Sequence, residues 1–245
     1  MAISICPADS HEAMSREAAQ RIVTALAAKP DLLLCAAGGT TPLRTYQLLA
    51  EHHGCQPHLV RALRVVKLDE WGGLKMSDAG SCEGQLRKHL LEPLGLSNPR
   101  YFGFTSNPAD PKAECERVRS RLMAEGPIDL CVLGLGMNGH IAMNEPAVSL
   151  QPFSHVAELT ESSLRHPMLA ESSHGPSYGL TLGMAEILAS REILLLVSGA
   201  AKRERLRQLL KREITTQFPA SFLWLHPNWT LLCDRDATAG LDLKA

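Results

Sequence analysis

Aromatic side chains make up only 4% of the 245 residues, so the core must be built from Leu, Val, Ile and Ala. No basic block is present and the formal net charge is -1, which argues against a nucleic-acid footprint or a polybasic membrane anchor. The seven cysteines, Cys6, Cys35, Cys55, Cys82, Cys115, Cys131 and Cys233, include no C-x-x-C pair. Several fall in apolar, strand-like runs, and they read as buried free thiols in a reducing compartment. No apolar stretch approaches the ~20 residues that span a bilayer, and the N-terminus lacks the basic-then-apolar layout of a signal peptide. There is no internal repeat and no low-complexity linker. The expectation is a soluble, cytoplasmic chain folded as one domain over residues 1–245, with no membrane or nucleic-acid partner.

What is present is 45% apolar residues, ample for one large core, arranged as apolar runs that alternate with helical patterns. Ile3 and Ile5 mark a short first strand. Ser10 caps a helix with Met14, Ala18, Ile22, Ala25 and Leu26 on one face, ended by Lys29-Pro30. Asp31 to Ala36, Val65 to Leu68, Ile128 to Leu133, Ile193 to Val197 and Trp229 to Cys233 read as buried strands. Thr41 is expected as N-cap, with Pro42 first in a helix carrying Leu43, Tyr46 and Leu49 inward. Further helices are expected from Cys82 to Leu91, from Pro111 (capped by Asp110) to about Met123, over Leu182 to Leu188, and from Lys202 to Arg212. From Pro146 to Ser177 the chain is aperiodic, with Ser162, Ser163, His166, Ser172, Ser173 and His174, and reads as a loop or lid. Alternation of this kind predicts an α/β fold, three-layer α/β/α with a mostly parallel, Rossmann-like central sheet.

Ligands of such sheets bind beyond the carboxyl ends of the strands, and four strands end in polar, glycine-bearing clusters. Gly38, Gly39, Thr40 and Thr41 offer backbone N–H groups and hydroxyls at a helix start, suited to an oxyanion or to a cap with nothing bound. No Gly-Lys-Ser/Thr follows, so this is not a nucleotide-triphosphate loop. Asp69, Glu70 and Trp71 end the strand at Leu68. Asp69 is a candidate proton acceptor, its affinity for a proton raised by Glu70 and partial burial, or it belongs to an exposed acidic turn. After Leu133, the Gly134, Gly136 and Gly139 turn presents Asn138, His140, Asn144 and Glu145 together. His140 suits proton movement between oxygens, with Glu145 orienting it. Lys202, after Ser198-Gly199, either reaches the same anion or is solvated, and nothing nearby suggests the desolvation a Schiff-base lysine needs. His140 has no second His or Cys at ligand spacing and His52-His53 have no acidic partner pattern, so neither metal nor cofactor is expected. No nucleophile elbow occurs. Metal-free acid–base chemistry on a phosphorylated small molecule remains.

G-G-T-T-P (Gly38 to Pro42), L-D-E-W (Leu68 to Trp71), G-L-G-M-N-G-H-I-A-M-N-E-P (Gly134 to Pro146) and S-G-A-A-K (Ser198 to Lys202) resemble the hexosamine-6-phosphate deaminase/isomerase family, relatives of the 6-phosphogluconolactonases. The likeness runs in order from about Asp31 to Cys233. The N-E-P ending points to the deaminase branch. Within it, V-K-L-D-E-W, D-L-C-V-L-G-L-G-x-N-G-H and P-A-S-F-L-W-L-H (Pro219 to His226) are similar to bacterial galactosamine-6-phosphate isomerases.

The resemblance implies that Asp69 takes the C2 proton, His140 opens the sugar ring with Glu145 as partner, and Gly39, Thr40, Thr41 and Lys202 hold the phosphate. The implied reaction converts galactosamine 6-phosphate to tagatose 6-phosphate and ammonia. Glucosamine-6-phosphate deamination, lactone hydrolysis and a sugar-phosphate sensor are the alternatives. Sensors of this fold carry a DNA-binding segment ahead of it, whereas here the first strand starts near Met1. Association with further copies of the chain is left open. Two positions depart from glucosamine-6-phosphate deaminases. Asn138 replaces an aspartate, reducing the carboxylate pair around the histidine to Glu145 alone, and Thr40 replaces a glycine. An arginine that completes the phosphate site in some relatives has no counterpart in register, Arg165 being merely near.

Overall fold

The structure, a computed structural model, describes residues 4–172 and 175–243. Ile3, Ser173 and His174, named above, lie outside them. Among the described residues ten strands form: β1 (Ser4–Ala8), β2 (Leu33–Ala36), β3 (Arg64–Lys67), β4 (Asp69–Gly72), β5 (Tyr101–Phe102), β6 (Leu130–Gly134), β7 (His155–Ala157), β8 (Tyr178–Thr181), β9 (Glu192–Val197) and β10 (Trp229–Asp234). Seven make a wholly parallel sheet in the order β1-β10-β9-β6-β2-β3-β5. The helices are α1 (His11–Ala28), α2 (Thr40–Cys55), α3 (Cys82–Leu86), α4 (Pro111–Glu125), α5 (Glu161–Leu164), α6 (Met184–Leu188), α7 (Arg203–Leu210) and α8 (Arg235–Thr238). The three-layer α/β/α arrangement is the expected one.

The strands of this sheet are apolar at successive positions because both faces are covered. In β9, Ile193, Leu195 and Val197 enter one core layer with α4 and α7, while Leu194 and Leu196 enter the other with α1 and α2. Leu33 and Cys35 of β2 divide from Leu34 and Ala36 in the same way. The chain leaves β2 toward the second layer, through Tyr46 and Leu49 of α2. It leaves β6 toward the first, through Leu135 and Ile141. Neighbouring strands whose exits diverge open a crevice at their carboxyl ends.

Several local expectations need correction. Gly39, with φ 94°, is the N-cap of α2, and Thr40 and Thr41 are already helical. The glycine reaches a left-handed conformation that a threonine would not adopt. Asp69 to Gly72, read as the tip of the preceding strand or as an exposed acidic turn, is a strand of its own, β4, paired antiparallel with β8, which pairs in turn with β7. The chain crosses from one sheet to the other at Leu68, whose N–H donates to Ala36 O and whose carbonyl accepts from Leu182 N. The segment read as a loop or lid contains β7, α5 and a 3-10 turn at Pro167–Glu171. The expected helix over Leu182 to Leu188 is shorter, α6, and is preceded by β8. Helix α3 runs on as a π-helical turn, Arg87–Leu91. Of the seven thiols, Cys55 is exposed and Cys6 half-buried, and all seven are free.

Candidate active site

Two loops flank β6 at the mouth of the crevice, each following a neighbouring strand. After β2, Gly39 turns the chain into α2, and after β9, Gly199 repeats the turn at φ 90° into a 3-10 turn ending at Lys202. Asp234, at the end of β10, fixes the second loop by accepting from Ser198 Oγ at 2.5 Å and Gly199 N at 3.1 Å. The N–H of Gly39 donates to Gln85 Oε1 at 3.0 Å. That N–H is therefore satisfied by protein, and an anion would be met by the amides and hydroxyls that follow it.

Between the loops, β6 delivers the turn that holds His140. The N–H of Gly136 donates to His140 O at 3.0 Å, folding the imidazole over the backbone. A Cβ on Gly136 would lie 2.3 Å from the ring, so only glycine permits this approach. Ala142 follows in the left-handed region at φ 54°, an arrangement that costs energy in a residue with a Cβ and recurs at functional sites. Nδ1 of His140 lies 3.4 Å from Glu145 Oε2 and 3.4 Å from Ser163 Oγ. Ser163 donates a short hydrogen bond to the other Glu145 oxygen. Asn138 Nδ2 donates to Glu145 at 2.7 Å and to Thr160 Oγ1 at 3.2 Å, while its carbonyl oxygen accepts from His140 N. Burial opposes ionisation of Glu145, but His140 and the donors Ser163 and Asn138 outweigh it and hold its carboxyl below the usual range.

Asp69 faces this group from the first residue of β4, 9% exposed. Burial first, and the neighbouring Glu70 carboxylate second, push its carboxyl up from 3.8 to about 6; the Cys82 thiol, His140 and Lys67 act the other way. A carboxylate with that proton affinity can take a proton from carbon near neutral pH and give it back.

Asp69, His140, Gly38, Gly39, Thr40, Thr41 and Lys202 line one cavity of about 300 Å³, together with Trp71, Cys82, Arg165 and His166. Loops remote in sequence thus converge. Asn138 and Glu145 stand behind His140 and are not part of the lining. Lys202 corrects an expectation: burial lowers its ammonium to about 8, so the desolvation judged absent is present. Sequence reasoning gave no role to Ser163, Thr160 or Cys82, and left Arg165 out of register. Arg165 pairs with Glu161 at 2.9 Å and reaches the cavity wall from the end of α5. His166 lies close by, its imidazole lowered to about 4 by burial and by the charges of His140 and Lys202. Among the described residues no group of three or more His, Cys, Asp or Glu is placed to hold a metal ion, and no helix is long and apolar enough to cross a membrane.

The sequence profile of the glucosamine-6-phosphate isomerase/6-phosphogluconolactonase family matches residues 7–231. The chain belongs to this family. Among family members, AgaI of Escherichia coli (strain K12), which is named as a deaminase, is 41% identical over 224 residues, covering 91% of this chain and 89% of that one. The glucosamine-6-phosphate deaminase of Bacillus pumilus (strain SAFR-032) is 36% identical, over 96% of this chain and 98% of its own. The solved structure of a monomeric glucosamine-6-phosphate deaminase superposes with a TM-score of 0.90 at 33% identity, over 96% of this chain and 99% of that one. The 6-phosphogluconolactonase of Trypanosoma brucei, at 22% identity and a TM-score of 0.78, shares the fold.

Proposed function

We propose that this protein isomerises and deaminates a hexosamine 6-phosphate, and that galactosamine 6-phosphate is the preferred substrate, yielding tagatose 6-phosphate and ammonia. The observation that carries the reading is that Asp69 and His140 line the same cavity as Lys202 and the Gly38 to Thr41 loop. A proton acceptor, a ring-opening group and an anion cradle lie within reach of one small molecule. The relatives named as deaminases support the reaction class.

In this mechanism the phosphate sits against the start of α2 and Lys202, where backbone N–H groups and the ammonium meet its charge. His140, oriented by Glu145 and Ser163, moves the proton from the C1 hydroxyl to the ring oxygen, and the ring opens to the aldehyde. Asp69 takes the proton from C2 while the substrate's ammonium gives one to the aldehyde oxygen, leaving a C1–C2 enolamine, and Asp69 then returns its proton to C1. C2 becomes an iminium, water adds to it, and collapse expels ammonia and leaves the C2 ketone. No cofactor enters the balance.

The galacto preference is supported by the motifs around Leu68 and Pro219, which resemble those of bacterial galactosamine-6-phosphate isomerases. The gluco reading is favoured by the family's glucosamine-6-phosphate deaminases, 36% identical in the Bacillus pumilus case. Ammonia release from galactosamine 6-phosphate and glucosamine 6-phosphate, measured side by side, tests both. A higher kcat/KM on the galacto epimer is expected. Release from the gluco epimer alone would replace the substrate, and release from neither would overturn the reaction.

A further inference from the structure

The mechanism above uses Asp69 but not the charges beneath it. Lys67 and Glu70 are wholly buried, and Glu83 is 1% exposed. Lys67 Nζ donates to Glu70 Oε2 at 2.6 Å and to Glu83 Oε2 at 2.8 Å. Glu70 also accepts three backbone N–H groups: Trp71 at 2.8 Å, Cys82 at 2.9 Å and Glu83 at 2.9 Å. Two of those amides open α3, and the third belongs to β4. Glu83 is held further by the Tyr101 hydroxyl and by Arg87 at 2.8 Å. Burying such an ion set has a large desolvation cost, and well-packed apolar residues would fill the space at least as stably. Fold stability alone therefore does not explain its presence.

Its position does. Strand alternation turns Glu70 to the opposite side of β4 from Asp69, so Glu70 clamps the strand to α3 while leaving the base facing the cavity. Its bond to Cys82 N places the Cys82 thiol against Asp69. The charged and titratable groups around Asp69 are Glu70 and Lys67 on its own chain segment, Cys82 on α3, His140 beyond β6, Cys35 on β2 and Tyr46 on α2. Of these, Glu70 is the one that favours a protonated Asp69 most.

We propose, resting on the deaminase reading above, that Glu70, locked by Lys67, is a positioning residue for Asp69: it clamps the base's strand to α3, and its charge keeps Asp69 able to retain the proton it carries from C2 to C1. Base strength that falls too far would let the proton escape before it reaches C1.

The test compares wild type with Glu70→Gln and with the double variant Glu70→Gln, Lys67→Met. The double variant removes the clash between a glutamine NH2 and the Lys67 ammonium, so it folds if the single one does not. The expected result is an acid limb of kcat/KM whose midpoint moves down by roughly one pH unit in Glu70→Gln and by less in the double variant. A clamp without an electrostatic role would lower the rate at every pH and leave the midpoint in place, and a midpoint that stays or rises overturns the proposal. The carboxyl 13C resonance of Asp69, assigned by its loss in Asp69→Asn, titrates with the same shifts and needs no turnover. It separates failure of this inference from failure of the deaminase reading, which would appear as a wild type that releases no ammonia.

Discussion

The thiol of Cys82 donates to Oδ1 of Asp69 across 3.6 Å, both groups being buried. Burial, then the charges of Asp69 and Glu70, push the Cys82 thiol well above its ordinary value, so it stays protonated and remains a donor. One oxygen of Asp69 thereby has a donor.

Removing that donor removes stabilisation of the Asp69 carboxylate. Cys82→Ala is expected to move the acid limb of kcat/KM to higher pH and to lower kcat more than it raises KM, because the groups proposed to hold the phosphate are themselves unchanged. Cys82→Ser, which keeps a donor, restores most of the rate. pH–rate profiles of the two variants check this.

Asp69→Asn is expected to lower kcat at least about 100-fold while making the protein more stable at neutral pH. The sign follows from a folded carboxyl at about 6 against an ordinary 3.8. The folded state binds the proton more tightly, so stability is fully present below about 4 and is lost as pH rises through about 6. Two pH units correspond to about 2 to 3 kcal/mol, which the neutral amide does not forfeit. Denaturant unfolding of wild type and variant at neutral and acid pH reads the difference.

Lys202 carries its charge below about 8, and desolvation is what holds it there. Affinity for a phosphate ligand in the free enzyme is expected to weaken as pH rises through that value, and KM to rise with it. Lys202→Met abolishes this dependence and raises KM at all pH values, with kcat less affected. Inorganic phosphate as a competitive inhibitor, titrated across alkaline pH, measures it directly.

Gly136→Ala places a Cβ 2.3 Å from the His140 ring. The ring must turn away from Glu145 and Ser163, so kcat falls by about 100-fold or more while the far-ultraviolet circular dichroism spectrum is preserved. A variant with wild-type kcat would show that the orientation of His140 is not needed.

Much of the site was legible in the residues because it follows from strand ends. Runs such as Ile193 to Val197 can be nothing but strands buried on both faces, and glycine-bearing clusters after them mark the carboxyl edge. Asp69 to Trp71 was harder to place. Its residues read as a strand tip or as an exposed acidic turn, and only the partners of Glu70, Lys67 three residues away and the start of α3 more distant in sequence, allow that segment to be a buried strand. Ser163 and Thr160 escaped for a related reason. They lie in a stretch without periodicity, and their importance comes from meeting Glu145 and Asn138 across 15 or more positions of sequence. Thr41 suggests itself as a cap because threonine is a common one, whereas the turn here demands the positive φ of Gly39.

The central claim, that Asp69 carries hydrogen between C2 and C1 of a hexosamine 6-phosphate, is tested most directly with substrate deuterated at C2. Wild type is expected to release ammonia with a slowed rate on the labelled substrate and to lose the label from C2, to C1 or to water, while Asp69→Asn binds the sugar phosphate and leaves the label at C2. Loss of the C2 label by Asp69→Asn at the wild-type rate would contradict the account.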